Sequence, residues 1–356
     1  NAWLLQLLAH PNIASKAAVI RIYDHEVQGG TVVKPLTGAA NDGPADACVL
    51  KPAGTGGVRG IVLSAGANPQ YGKFDAYRMA CSVIDEAVRN AVAVGADPQR
   101  IALLDNFCWG DPKRPETMGS LVQAAQGCYD AAIHYQAPFI SGKDSLNNEY
   151  LGMDGERHAI PPTLLISALG IIDDVYQAVT LDLKAAGNTI YLVGAHKPAL
   201  KGSHYEMISN AQFSASGSEA IPGLPATAPA LYRAIHDAMR NNLVRACHDL
   251  SEGGLGVAAA EMCIAGRLGM NLSLPASEPL HALFGEVNGC FLVEVAPEQQ
   301  PAFEKALQGS PTLRIGTVVS EPALSIRIAD QTLISVKLAD LLQAWSPADH
   351  SSATSK

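Results

Sequence analysis

Met79, Val83, Ala87 and Ala91 fall four residues apart on one stripe between positions 77 and 94, and this spacing predicts an amphipathic helix. A second helical pattern covers residues 118–135. Around these two lie short β-type runs at 47–50, 60–64, 101–104 and 164–172, which predict strands. Beyond Ile171-Ile-Asp-Asp174 the alternation starts again. A strand is expected at 189–194, helices at 228–241, 254–265 and 301–308, and a further strand at 289–295. Glycine and proline clusters at 38–44, 52–57 and 215–229 read as loops. Mixed elements on both sides of one break predict two domains of α/β (α+β) type in series, at 1–173 and 174–349, with a polar frayed tail at 350–356.

Composition narrows the class. Of 356 residues, 48% are hydrophobic and 17% charged, the balance of a packed globular chain and not of a disordered one. The net charge of −9 disfavours nucleic acid or an anionic membrane as partner. No apolar run reaches the roughly 18 residues of a membrane span and no signal peptide is visible, so a cytoplasmic location is expected. Seven cysteines occur without a Cys-x-x-Cys pair, and Cys81, Cys263 and Cys290 lie in apolar stretches; they read as reduced core residues. Position 1 is Asn, so a fragment, a processed chain or a trimmed one is expected.

The stretch Cys247-His-Asp-Leu-Ser-Glu-Gly-Gly-Leu-Gly256 carries the densest chemistry. It sets two acids, a hydroxyl and the pair Gly253-Gly254 at the mouth of an apolar helix, where small residues allow close approach and free N–H groups favour an anion. Asp249 and Ser251 offer oxygen ligands suited to a hard cation such as Mg2+. The plainer alternative is an acidic N-cap supplied by Ser251 and Glu252. Glu86 and Asn90, four apart on the 77–94 helix, lie side by side and suit one metal, although a solvated polar pair is the commoner meaning of that spacing. An apolar strand ends in Asp105-Asn106, and Pro138-Phe-Ile-Ser141 opens into a loop of small and charged residues through Ser145. That loop has phosphate-binding composition but lacks the spacing of a P-loop.

Taken with Pro11-Asn-Ile-Ala-Ser-Lys16, Tyr23-Asp24-His25-Glu26-Val27-Gln28-Gly29, Asp105-Asn-Phe-Cys-Trp-Gly110, Ser141-Gly-Lys-Asp-Ser145-Leu-Asn-Asn-Glu149, Gly202-Ser203 and Leu283-Phe-Gly-Glu286, these blocks resemble the second half of the phosphoribosylformylglycinamidine synthases over nearly the whole chain. The wider superfamily includes aminoimidazole ribonucleotide synthetase, thiamine-monophosphate kinase and selenophosphate synthetase, which share the Asp/Ser/Gly-Gly block. The Asp105-Asn106 and 141–149 blocks favour the purine ligase. The resemblance implies a two-domain aminoimidazole ribonucleotide synthetase-like fold, with an N-terminal sheet domain that pairs with a like domain and a C-terminal α/β domain. It implies ATP and Mg2+ as cofactors.

By the same resemblance, Glu86, Asn90 and Asp249 match magnesium ligands, and Ser251 and Asp24 match residues that touch the nucleotide. Asp105 and Gly142 match residues at the catalytic ATP of small family members, and Ser145 one that meets the substrate. Where small members place a metal-binding Asn, this chain has Lys143, which cannot ligate while charged; Asp144 is the substitute ligand, or the role is lost. The first half of the family carries a catalytic histidine in His-Asn-His-Pro; the equivalent here is Gly66-Ala67-Asn68-Pro69, so no catalytic residue is assigned. His248 reads as an orienting residue, His25 as a surface or subunit-contact residue, and His134 and His204 have no visible partner. No glutaminase unit is evident. The implied partners are a first half of the synthase, a glutaminase supplying ammonia and a small-molecule nucleotide substrate, with a homodimer if the half is isolated. Two alternatives stay open: a non-catalytic half holding a structural Mg-nucleotide, and a small-molecule kinase of the superfamily.

Overall fold

The computed structural model describes residues 1–213, 221–275 and 277–346. The expected frayed tail at 350–356, and part of the 215–229 loop, lie outside the described residues. The first half holds β1 (Thr31–Val33), β2 (Cys48–Leu50), β3 (Gly60–Ala67), β4 (Ile101–Cys108), β5 (Phe139–Ser145), a small hairpin of β6 (Glu149–Leu151) and β7 (Arg157–Ala159), and β8 (Thr163–Ile172). The second holds β9 (Thr189–Val193), β10 (Ala246–Asp249), β11 (Gly269–Leu274), β12 (Phe291–Val295), β13 (Thr312–Val319), β14 (Ala323–Ile328) and β15 (Gln331–Lys337). They form a six-stranded sheet in the order β1-β2-β3-β8-β4-β5 and a seven-stranded sheet in the order β10-β12-β9-β13-β11-β14-β15. Each sheet is antiparallel except for one parallel pair, β4 with β5 and β11 with β14. The two-sheet α/β architecture is the one expected.

The Ala76–Ala93 helix is the element that positions the site. Asp75 caps it, accepting from the Arg78 amide at 2.9 Å, and Met79, Val83, Ala87 and Ala91 are all fully buried. It lies between the first sheet and the second half of the chain, packed against β3, β8, β10 and the Pro115–Tyr135 and Ala228–Arg240 helices. The first sheet's other face is open: Leu63 and Leu165 are 42% and 37% exposed. The Ala2–Leu8 helix, unread in the sequence, packs Leu4, Leu7 and Leu8 into the same core as Leu341 and Trp345. Chain order and packing therefore differ at the N-terminus.

Two expectations about elements change. The strand expected at 101–104 continues through Cys108, because Asp105 and Asn106 sit on a paired strand despite their polarity. The 141–145 segment is not a loop: it is the body of β5, held in parallel register with β4. The seven free cysteines fit the reading as reduced residues, five of them buried.

Candidate functional site

Strand β10, paired with β12, ends at Asp249, and the chain turns through Ser251, Glu252 and Gly253 into the Gly254–Gly266 helix. Gly253 and Gly254 both adopt positive φ, at 76° and 68°. A Cβ on Gly253 would lie 2.4 Å from Val257 Cγ2, and one on Gly254 2.4 Å from the Gly285 carbonyl oxygen, so glycine is required twice. Their amides are not free for an anion as expected. Gly253 N–H donates to Glu286 Oε1 at 3.1 Å and Gly254 N–H to the Ser251 carbonyl at 3.0 Å. Nor do Ser251 and Glu252 cap the helix; Gly253 is the N-cap residue.

Above this turn lies a cavity of about 230 Å³ whose wall includes Glu86, Asn90, Asp249 and Ser251 from the sequence reading. Asp46, His248, Glu252, Glu261 and Lys16 complete its charged lining. Glu86 Oε2 accepts from the Ala67 amide at 3.1 Å, and burial, Glu252 and Asp249 together hold its carboxyl well above the usual range. Glu252 is raised to about 7 by burial, with Glu286 and Asp249 adding and His204 opposing. Asn90 Nδ2 donates to the Ala65 carbonyl at 3.2 Å, while Asn90 Oδ1 and Asp46 Oδ2 are buried acceptors without a partner among the described residues. Orphaned oxygens beside carboxylates that resist ionisation are what a site for a hard cation leaves in the protein alone. Asp46, Glu86, Asn90 and Asp249 therefore fit Mg2+.

Atoms of Asp46, His248 and Asp249 also approach within 4.8 Å of one another, and His248 is already bonded on both sides. Its Nδ1 lies 2.7 Å from Asp46 Oδ1 and its Nε2 3.1 Å from Glu261 Oε2. Burial works against a charged ring, yet Asp46 and Glu261 outweigh it and hold His248 well above 6.5. With both ring nitrogens engaged by carboxylates, His248 is placed to orient its neighbours.

Beneath the cavity runs a buried ionic network. Arg89 Nε and Nη2 donate to Asp249 Oδ2 at 3.2 and 3.1 Å, and Nη2 also to Ser251 Oγ at 2.8 Å. Nη1 donates to Asp85 Oδ2. Asp85, fully buried, accepts as well from the Tyr135 hydroxyl, the Tyr232 hydroxyl at 2.6 Å and the Gly289 amide at 3.1 Å. The spacing Asp85-x-x-x-Arg89 was legible as an i,i+4 pair in the same motif as Glu86 and Asn90. Nothing local signals Asp46.

Asp24 is not in this site. It is exposed, accepts from the Glu26 amide at 2.9 Å, and lines no part of the cavity; Asp46 supplies the acid there. Asp105, Gly142, Asp144 and Ser145 share a second location, along β4 and β5, and line no part of this cavity either. Asp105 pairs with Gly142, where a Cβ would meet its carboxylate at 2.3 Å; burial and then Asp144 raise the Asp105 carboxyl. Asp144 and Lys143 are exposed, and Ser145 Oγ donates to Asn148 Oδ1 at 3.2 Å.

The other histidines singled out in the sequence have partners. His204 Nδ1 lies 2.8 Å from Glu286 Oε1, and His134 Nε2 3.1 Å from the Pro225 carbonyl. His25, half-buried, has Nδ1 3.4 Å from the Tyr23 carbonyl. In the segment that lacks an imidazole, Asn68 caps the Pro69–Gly72 helix through the Gln70 amide at 3.2 Å.

The family model described as AIR synthase related protein, N-terminal domain, matches residues 44–172, and that for the C-terminal domain matches 185–329. Phosphoribosylformylglycinamidine synthase subunit PurL of Deinococcus radiodurans is 37% identical over 354 residues, covering 97% of this chain and 45% of that protein. The same-named subunit of Gloeobacter violaceus is 35% identical over 334 residues, covering 89% and 42%. This chain spans a little under half the length of these curated relatives. Thermotoga maritima PurL complexed with FGAR aligns with a TM-score of 0.72 at 16% identity, covering 97% of this chain and 53% of that one. The ATP complex of T. maritima PurL aligns at 0.65 and 16%, covering 93% and 52%. Likeness at that identity shows the fold alone.

Proposed function

Since this chain belongs to the AIR synthase related proteins, carrying both their N-terminal and C-terminal domains, we propose that it is the second half of a phosphoribosylformylglycinamidine synthase and holds a magnesium-nucleotide in the cavity above Asp249. The whole enzyme would convert formylglycinamide ribonucleotide to its amidine with ATP and ammonia, in purine biosynthesis. One observation carries the reading: Glu86 and Asn90 from the first half meet Asp249 and Ser251 from the second at one cavity, with Asn90 Oδ1 and Asp46 Oδ2 left unpaired.

Asp46, Glu86, Asn90 and Asp249 would hold the cation, which when bound neutralises phosphate charge. Lys16 stands on the same wall, its Nζ held by the Pro11 carbonyl at 2.7 Å, so one cation of the protein's own faces the phosphates. An adjoining apolar cavity of about 450 Å³ shares Ile13, Lys16, Pro44, Ala45 and Asp46, and has the character to take the base. Asp105 and Gly142, which match the family's catalytic ATP contacts, and Ser145, which matches a substrate contact, stand elsewhere, along β4 and β5. This separation favours a holding role for the nucleotide beside Asp249. Chemistry then needs a first half and an ammonia source, a glutaminase being the fitting partner.

Calorimetry with ADP, with and without Mg2+, tests the site. Mg-dependent binding is expected in the parent and in Asp24→Ala, and its loss in folded Glu86→Ala and Asp46→Asn. Undiminished binding by Glu86→Ala would sink the assignment. A second assay gives the chain Mg-ATP, formylglycinamide ribonucleotide and ammonium. No ribonucleotide-dependent ADP formation is expected without a first half; turnover would make the half a complete enzyme.

A further inference from the structure

Asp249 reaches the cavity already committed on one side. The side-chain hydrogen bonds it receives among the described residues all fall on Oδ2: two from Arg89, and one from Ser251 Oγ at 2.5 Å. Oδ1, 3.8 Å from His248 Nδ1, is the oxygen left over. The guanidinium that takes Oδ2 cannot swing, because Asp85 holds Nη1 one helical turn earlier. Asp85 is in turn fixed from three elements, by the Tyr135 and Tyr232 hydroxyls and the Gly289 amide. Arg89 itself is 1% exposed. Burying this charge is costly for stability alone, since apolar residues of similar volume often serve as well or better.

We propose that Arg89, anchored by Asp85, is a positioning residue that presets the Asp249 carboxylate for one-oxygen ligation of a small divalent cation and so tunes the site toward Mg2+ over Ca2+. The physical reason is the difference between the two ions. Mg2+ demands near-ideal octahedral geometry at short range, whereas Ca2+ accepts variable ligand number and looser placement. A carboxylate locked in one orientation, with its second oxygen occupied, favours the first ion; one free to turn and offer both oxygens favours the second. The proposal rests on the reading of the cavity as a cation site.

The test titrates Mg2+ and Ca2+ separately into the full chain with ADP present, for the parent, Arg89→Lys and Asp85→Asn/Arg89→Gln, each checked for folding by circular dichroism. Arg89→Lys keeps a positive charge against Asp85 and loses the fork on Asp249 and Ser251; the double variant removes the ion pair from both ends. Mg2+ affinity is expected to fall roughly 10–100-fold, the usual consequence of losing a group that orients a metal ligand. Ca2+ affinity should fall much less, so the preference between the ions narrows or reverses. Equal losses for both ions, or no loss for either, in a folded variant would overturn the proposal and leave Arg89 as an interdomain ion pair only. Glu86→Gln, which removes a ligand charge directly, separates the two levels: if the parent shows no cation dependence, or Glu86→Gln keeps the parent's undiminished, the cavity reading itself fails.

Discussion

Glu252 near 7 and Glu86 raised well above the usual carboxylate range mean that the folded chain keeps protons which the unfolded chain has already released. Stability linked to Glu252 is therefore present below the ordinary carboxylate range and is lost as pH rises toward about 7, and Glu86 contributes with the same sign. A divalent cation competes with those protons, so Mg-dependent ADP binding should tighten as pH rises through about 7, and Glu252→Gln should flatten that profile. A flat profile in the parent would show that no proton is displaced from Glu252. At this scale, legibility followed sequence distance. Glu86 with Asn90, and Asp249 with Ser251, were readable because each pair sits within one turn of chain. Asp46 was not, lying 202 positions from the His248 it holds. Asp24 does not line the cavity, and an Asp-containing motif says nothing of which cavity its loop reaches.

Gly254 shows what an element end demands. At φ 68°, with a carbonyl oxygen 2.4 Å from where a Cβ would stand, Gly254→Ala should destabilise the chain by about 1–3 kcal/mol. Urea unfolding checks this, and an unchanged midpoint would mean the turn has an alternative path. The Ala76–Ala93 and Ala228–Arg240 helices match the expected 77–94 and 228–241 closely, since their apolar stripes are continuous to both ends. Strand β5 escaped because Ser-Gly-Lys-Asp-Ser has no apolar alternation; its backbone pairing with β4 alone makes it a strand. The strands β13, β14 and β15 went unread for a related reason: half-exposed, with polar residues interspersed, they depend on neighbours for their register.

The first sheet presents an open face at Leu63 and Leu165 among the described residues. Leu165 lies on the same face as Leu63, which pairs with Leu169 across β3 and β8. The chain alone should self-associate through this face, and Leu165→Lys should shift it toward monomer in sedimentation runs; a parent that stays monomeric would count against the surface as an interface. The network below the cavity bears on modularity. The two domains look separable in sequence, as segments that could be recombined with those of other relatives. Asp85 constrains its partner little, for it asks the second half only for a backbone amide and one tyrosine hydroxyl. Arg89 asks for more, a carboxylate at position 249 beside the Leu250 carbonyl and the Ser251 hydroxyl. A chimera lacking that acid would leave the guanidinium buried in the joint with Asp85 as its counter-charge, so exchange of the second domain is expected to be tolerated only where an acid stands at position 249.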